Sequence, residues 1–460
     1  MLKPVGDAVT ASTIDDLRRA ALRAARDDVR ASLRRSPGMG AEFLAAARTV
    51  ILVSSSSRSG SSLFVQLLKR STGFLHGCGE INPSLRLAGL AWPESSCDSD
   101  ALTAPDAKGT ALAIFGDHLA SEVCAEGPAS IHAPADDAFG ERLFRRLRLQ
   151  WPLEDIAIGD VQAAMREAVR AIETRERRRC DWSIDLAAFH LAVLTTLRRK
   201  HPGINPYYYD IDEALIRAAL PALAAPTGPP APVLIEEPPF ILIRPSEPWG
   251  AADLARRPVV LKTPSDAYRY DFLRCAFSNA RFRILHLTRN PGAAIADLCA
   301  GWRYRGFHSH YIGADLEVPG YSEPGMPDRG WWKYDLPPDW RSHARGSLEA
   351  ICAFQWAAAH RAILDHLGCS SVDRHRVHFE DILLSVAERR ADRLDALRAW
   401  LGEPSFLADP AQGLPPVMTT HPPRLGGWRD HRAAIDPVLA EPDIRQVIAA
   451  LGYGDEAQWI

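Results

Sequence analysis

The sequence lacks an excess of basic charge and lacks any long apolar run. Its 54 Lys and Arg residues against 57 Asp and Glu give a formal net charge of −3. No global positive field is therefore available to attract nucleic acid or an acidic membrane surface. Nowhere do about 18 apolar residues follow one another, as a membrane-spanning helix requires. We expect no nucleic-acid partner and no membrane partner, and any cationic site must be local.

Paired cysteines are also missing. The chain has eight cysteines, none in a CxxC pair, and no secretory signal precedes them. This usage predicts reduced thiols in a cytoplasmic protein, without a disulfide framework or a zinc site. His308 and His310 stand two positions apart but have no third ligand nearby, so the sequence favours a surface loop over a metal site there. No metal is expected.

Strand and helix patterns divide the chain of 460 residues into four segments. Residues 1–47 are predicted to be a helical N-terminal extension. Segments 48–125 and 258–460 alternate apolar strand patterns with helical ones, whereas 126–257 is mainly helical and rich in proline, as an insertion would be. Alternating strands and helices predict an α/β fold, a parallel β-sheet flanked by helices on both faces, with ligands at the carboxyl ends of the strands.

The most informative stretch is 49–64, an apolar run, a Ser/Gly loop and an amphipathic segment. It predicts a strand, an anion-binding loop and a helix, because small residues let backbone N–H groups converge on one oxyanion near the helix dipole. A nucleotide-binding GxxxxGK[ST] loop needs a lysine after its last glycine, and here Ser61 and Ser62 follow Gly60. Arg58 is the fixed cation of this loop. Alternatively, the Ser/Gly composition merely forms a turn.

Two more cations follow predicted strands. Lys262 comes after the apolar run 258–261, and Arg289 comes after 281–288. Because the carboxyl ends of parallel strands meet at one edge of a sheet, we expect both to lie near Arg58. Glu80 lies in a Gly-rich turn after the first helix and adds a carboxylate. Alternatively, Glu80 is a solvated acid or the partner of an arginine.

This ordered set resembles the sulfotransferase family that uses 3′-phosphoadenosine 5′-phosphosulfate (PAPS), in its bacterial and carbohydrate-type members. The resemblance covers roughly 48–90 and 258–435. It rests on Ser57-Arg58-Ser59-Gly60-Ser61-Ser62-Leu63, Lys262-Thr263-Pro264, Arg289-Asn290-Pro291, Phe379-Glu380-Asp381 and Gly427-Trp428-Arg429. It implies a P-loop NTPase-like three-layer sulfotransferase fold with a large helical insertion.

The resemblance also implies a reaction. A sulfuryl group would pass in-line from PAPS to a hydroxyl, or a similar nucleophile, of a small-molecule acceptor, leaving adenosine 3′,5′-bisphosphate. Fixed cations and backbone N–H groups can stabilise the leaving phosphate without a metal. The residues implied to hold the 5′-phosphosulfate are Arg58, Ser59, Gly60, Ser61, Ser62 and Leu63. Arg58 and Lys262 are implied to be catalytic, and Glu80 is implied to be the general base because Pro264 stands where other members have a histidine. A homodimer is compatible with the family.

One position departs from the family pattern. The residues implied to surround the 3′-phosphate are Arg289, Asp297, Arg424, Trp428 and Arg429, but the family has serine where this chain has Asp297. A carboxylate facing a phosphate is repulsive. The helix is therefore locally shifted, or Asp297 turns away to pair with Arg303 or Arg305, or the donor is not ordinary PAPS.

Two other functions stay open. A P-loop phosphotransferase using ATP is disfavoured because no lysine follows Gly60 and no magnesium carboxylate is evident. A sulfotransferase-like binding protein with a disabled donor site is the second alternative, for which Asp297 is the only hint.

Overall fold

A computed structural model of the chain describes residues 11–33, 39–126, 137–176, 185–382, 391–404, 406, 407, 417–420, 422 and 424–459. The strands are β1 Thr49–Ser54, β2 Leu75–Gly77, β3 Val123–Glu126, β4 Ser246–Pro248, β5 Val259–Leu261, β6 Arg281–Thr288, β7 His308–Tyr311, β8 Trp331–Lys333 and β9 Asp373–His378.

Helices connect and cover these strands. The first nine are α1 Ala11–Leu33, α2 Met39–Ala46, α3 Ser61–Lys69, α4 Asn82–Ala88, α5 Gly109–Glu122, α6 Asp137–Gln150, α7 Ile158–Glu176, α8 Leu186–Leu197 and α9 Glu213–Ala219. The others are α10 Ala251–Arg256, α11 Tyr270–Ala276, α12 Pro291–Arg303, α13 Trp340–His343, α14 Leu348–Cys369, α15 Phe379–Ile382, α16 Ala391–Leu401, α17 Arg432–Leu439 and α18 Pro442–Ala450.

Seven strands form one mixed sheet in the order β4-β3-β2-β5-β1-β6-β9. The five from β2 to β9 are parallel to one another, as the sequence predicts. The sheet departs from the predicted parallel arrangement only at one edge, where β3 is antiparallel to both β2 and β4. The reason is local: α5 passes into β3 at Val123 without a loop, so the strand keeps the direction of the helix instead of turning back.

The central strand β1 is buried on both faces. Val50 and Leu52 belong to a hydrophobic core beneath α2, α4 and α5, whereas Ile51 and Val53 belong to another formed with α3 and α16. Successive side chains of a strand point to opposite faces, so this alternation places helices on both sides of the sheet. The predicted α/β architecture with two helical layers is therefore confirmed.

The predicted insertion has a hydrophobic cluster of its own, formed by residues 139–243. It includes α7 and α8, which correspond to helical patterns in the sequence at 160–178 and 182–200, and α6, which the sequence patterns do not predict. β4 also lies in this segment, yet it pairs with the main sheet. The division of the chain at residues 47, 125 and 257 stays a prediction.

The sequence of residues 303–345 has Trp, Gly and Pro without clean periodicity, which predicts a long ordered loop or lid over a site. The structure is more regular than that. These residues include β7 and β8, which pair with each other, and α13. His308 and His310 are 0 % and 1 % exposed, so the expected surface loop is wrong: the β7–β8 pair carries both imidazoles inward. In the described ranges no group of three His, Cys, Asp or Glu side chains is arranged to hold a metal.

Apolar spacing in the sequence predicts a helix at 386–402 and a final helix near 437–451. The final one is two helices, α17 and α18, because Pro442 has no N–H with which to continue the first. The start of the helix predicted at 386–402 lies partly outside the described residues. Within the described ranges, no helix has the length and apolar character that a membrane span requires.

Candidate active site

The Ser/Gly loop joins β1 to α3, as predicted. Its backbone is left-handed at Arg58 (φ 63°) and at Gly60 (φ 84°). A Cβ on Gly60 would lie 2.4 Å from the Phe379 ring, so glycine is required by close approach as well as by φ. Gly60 caps α3, whose first turn begins at Ser61 and leaves its N–H groups without intrahelical partners. The loop therefore presents the donors that an oxyanion needs.

Lys262 and Glu80 form an ion pair at the neighbouring strand end. Lys262 follows β5, and its Nζ lies 2.5 Å from Glu80 Oε1 and 3.2 Å from Ser62 Oγ. The adjacent Thr263 Oγ1 accepts a hydrogen bond of 3.0 Å from the Ile81 N–H. The turn that carries Glu80 is thus fixed to the strand that carries Lys262. Within the described residues Glu80 is paired with Lys262 and not with an arginine, and its side chain is 36% exposed.

Arg289, at the end of β6, pairs with Asp297. Its Nη1 lies 2.7 Å from Asp297 Oδ2 and donates another hydrogen bond of 3.0 Å to the Arg58 carbonyl. The alternative in which Asp297 pairs with Arg303 or Arg305 is wrong: its partner is Arg289, eight positions earlier, which lies just before the start of α12. Arg303 pairs with Glu349 and Arg305 with Glu213.

The other residues implied to bind the donor differ in position. Arg58 donates to the Met418 carbonyl at 2.7 Å. Trp428 is 4 % exposed and packs so closely on α12 that a Cβ on Gly292 would lie 2.7 Å from its ring. Arg424 forms an ion pair with Asp430.

One cleft of about 710 Å³ collects most of these side chains. The predicted site residues that line it are Arg58, Gly60, Ser61, Ser62, Leu63, Glu80, Lys262, Arg289, Asp297, Arg424 and Trp428. Ser59 and Arg429 do not line it. Ser59 is fully buried, with its hydroxyl 2.6 Å from that of Ser56, and Arg429 donates to the Trp459 carbonyl at 2.7 Å.

Asp335 is a cleft residue that the sequence analysis missed. Its carboxylate accepts hydrogen bonds from the Ser57 hydroxyl at 2.7 Å and the Tyr268 hydroxyl at 3.1 Å. Burial raises the pKa of Asp335 to about 6. No local pattern could have marked it, because it lies 278 positions after Ser57 and only the fold brings the two together.

Glu380, in the Phe379-Glu380-Asp381 motif, acts as a support. Its carboxylate accepts from the Asn290 N–H at 2.7 Å and from the Tyr453 hydroxyl at 2.9 Å. It therefore anchors the start of α12 directly after Arg289.

The cleft as a whole can hold an anionic ligand between the Ser/Gly loop, Lys262 and Arg289. It also keeps one carboxylate, that of Glu80, beside Lys262.

Removing the Asp335 carboxylate should change how stability depends on pH. A carboxyl group with a raised pKa in the folded chain favours folding while it is protonated, and this contribution is lost as the pH rises from the unfolded value of about 3.9 through about 6. The free energy of unfolding of Asp335→Asn, relative to that of the wild type, should therefore increase by about 1–3 kcal/mol between pH 4 and pH 7. Denaturant unfolding at both pH values measures this. The exposed Asp339→Asn serves as control. If the difference in unfolding free energy between Asp335→Asn and the wild type is the same at pH 4 and pH 7, the prediction is contradicted.

Comparisons with known proteins find structural likeness only. No protein-family model matches the chain, and no curated protein matches it. Among solved structures, the sulfotransferase domain from the curacin biosynthetic pathway is 12% identical, with 88% of this chain and 98% of that chain covered and a TM-score of 0.36. The sulfotransferase domain from the Synechococcus PCC 7002 olefin synthase is 16% identical, with 88% and 95% covered and a TM-score of 0.35. Both of these similar structures are sulfotransferase domains.

Proposed function

We propose that this protein is a sulfotransferase that moves the sulfuryl group of PAPS to a hydroxyl of a small-molecule acceptor. The observation that carries the proposal is the single cleft at the carboxyl ends of β1, β5 and β6. There the Ser/Gly loop, Lys262 and Arg289 meet, with Glu80 2.5 Å from Lys262. This arrangement supports an elongated anionic donor along the cations and an acceptor hydroxyl beside the carboxylate.

The chemistry needs two forms of assistance. As the acceptor oxygen bonds to sulfur, the bond from sulfur to the bridging phosphate oxygen breaks, and negative charge grows on the leaving phosphate. The N–H groups at the start of α3, together with Arg58 and Lys262, stabilise that charge. The acceptor proton passes to Glu80, which the Ile81–Thr263 hydrogen bond holds in place. These roles involve transfer of a sulfuryl group and a proton and no change of oxidation state.

The product nucleotide provides the first test. Adenosine 3′,5′-bisphosphate should bind in calorimetry, and Arg289→Ala should weaken it at least tenfold because a phosphate loses its guanidinium partner. Arg281→Ala is the matched control, since Arg281 lies on the same strand with a side chain 70% exposed and should leave the affinity unchanged. ATP with Mg²⁺ should not bind comparably. Absence of bisphosphate binding by the wild type would refute the proposal, and preferential binding of ATP would favour a phosphotransferase.

Glu80→Gln should separate catalysis from donor binding. Loss of the general base should lower kcat by about 10²–10⁴-fold, while the Kd for the bisphosphate stays within about twofold because an amide keeps the shape of the side chain. Turnover of labelled PAPS with an acceptor found by screening measures the first quantity, and calorimetry the second. The exposed Glu247→Gln is the control. Full activity of Glu80→Gln would show that Glu80 is not the general base, and Asp335 would be the next candidate in the cleft.

The Arg289–Asp297 pair gives specific support to a second candidate, a sulfotransferase-like protein with a disabled donor site. The carboxylate occupies the guanidinium that the family uses for the 3′-phosphate. Asp297→Ser removes this competing charge and should tighten bisphosphate binding about tenfold. Asp297→Asn, which keeps a hydrogen-bonding group without charge, is the matched variant. Binding only by these variants and not by the wild type would identify the disabled protein, and unchanged affinity would show that Asp297 does not oppose the phosphate.

A further inference from the structure

The cleft is also lined by residues that have no role in the proposed sulfuryl transfer. These residues, which we call the acceptor end, are Lys69, Cys78, Arg146, Glu236 and Ile241. They lie close to the turn of Glu80, because a Cβ on Gly79 would be 2.7 Å from the Arg146 guanidinium and 3.0 Å from Ile241. A molecule that offers its hydroxyl to Glu80 would extend over them.

Lys69 is a cation without an opposing carboxylate. It lies at the end of α3, and its Nζ donates to the Cys78 carbonyl at 3.0 Å. Among the described residues it forms no ion pair with an acidic side chain. Burial lowers the pKa of Lys69. Besides the Cys78 carbonyl, the thiols of Cys78 and Cys124 interact with this ammonium electrostatically. An anionic ligand would add a further partner to it.

Arg146 is the second cation of the acceptor end. Its side chain is 3 % exposed, and its guanidinium lies 3.3 Å from Glu122 and 3.4 Å from Glu236. Its Nε has no hydrogen-bond partner within the described residues. Gly79 gives the guanidinium room beside the turn of Glu80. These contacts fix the position of Arg146 without using all of its donors.

Charged side chains of both signs surround this end of the cleft. Arg142 and Arg145, on the same helix as Arg146, interact electrostatically with Glu122, and Arg145 also with Glu141. Together with Lys69 and Arg146 they make four cations, opposed by four acidic groups, Glu122, Glu141, Glu236 and the Cys78 thiol. Burial raises the pKa of Glu236 to about 7, so this carboxyl is only partly ionised at neutral pH.

We propose that the acceptor end binds a carboxylate of the acceptor, so that the substrate is a hydroxylated carboxylic acid. This inference rests on the proposed function and names its substrate class. Lys69 and Arg146 would supply charge-assisted hydrogen bonds to the carboxylate. Ile241, Pro238, Pro239 and Phe307 also line the cleft and offer apolar contact to the hydrocarbon that joins the carboxylate to the hydroxyl.

The test uses small probes on protein saturated with adenosine 3′,5′-bisphosphate. Benzoate and hexanoate are titrated beside their neutral counterparts, benzamide and hexanamide, and beside methyl phosphate, with binding followed by ligand-observed NMR. Both carboxylates should bind saturably and at least tenfold more tightly than the amides. Lys69→Met should remove this preference, and the exposed Lys108→Met should retain it. Arg146 is buried, so replacing it with alanine would risk unfolding the protein. Arg146→Lys keeps the charge and should weaken carboxylate binding only partly.

Three results would overturn the inference alone, provided that the bisphosphate binds. They are equal binding of carboxylates and amides, carboxylate binding unchanged by Lys69→Met, and binding of methyl phosphate without carboxylates. Failure of the bisphosphate to bind would instead overturn the proposed function, and this inference with it.

Discussion

The site depends on the burial of β1 on both faces. Because alternate side chains of this strand enter two separate hydrophobic cores, the strand can neither slide nor rotate without exposing one of them. The loop that follows therefore starts from a fixed point, with Arg58 and Gly60 in left-handed backbone conformations. A rigid strand end, a short loop and a helix N-terminus hold the anion-binding N–H groups in place before any ligand arrives.

The cations of the cleft are held by neighbouring acceptors. Lys262 is paired with Glu80, and Arg289 with Asp297 and the Arg58 carbonyl. These contacts fix the side chains, so less side-chain conformational entropy is lost when a ligand binds. They also oppose anion binding to different degrees. In the proposed reaction a base beside Lys262 assists proton transfer, whereas Asp297 next to Arg289 would oppose the second phosphate of the proposed donor.

Much of the fold could be predicted from local sequence. The apolar run 49–54, the Ser/Gly loop and the helix after it follow from period and composition, as does Pro291 at the start of α12. The cations at strand ends were predictable because parallel strands place their carboxyl ends together. The antiparallel edge was not, because it depends on how α5 runs directly into β3.

The rest of the site depends on distant parts of the chain. Asp335 and Arg146 reach the cleft only through tertiary packing, and no spacing in the sequence relates them to Arg58 or Glu80. The partner of Asp297 could not be chosen from sequence either, since Arg289, Arg303 and Arg305 are all close along the chain. Burial of His308 and His310 likewise follows from the β7–β8 pair, which apolar periodicity does not reveal.

The ring of Phe379 touches both ends of the donor region. It lies against Gly60, where there is no room for a Cβ, and 5.6 Å from the Arg289 guanidinium. One aromatic side chain therefore acts as a common spacer between the anion-binding loop and the arginine at the end of β6. Displacement of the loop would press on this ring and shift the arginine, so in the proposed donor site the loop and Arg289 would not contribute independently to nucleotide affinity.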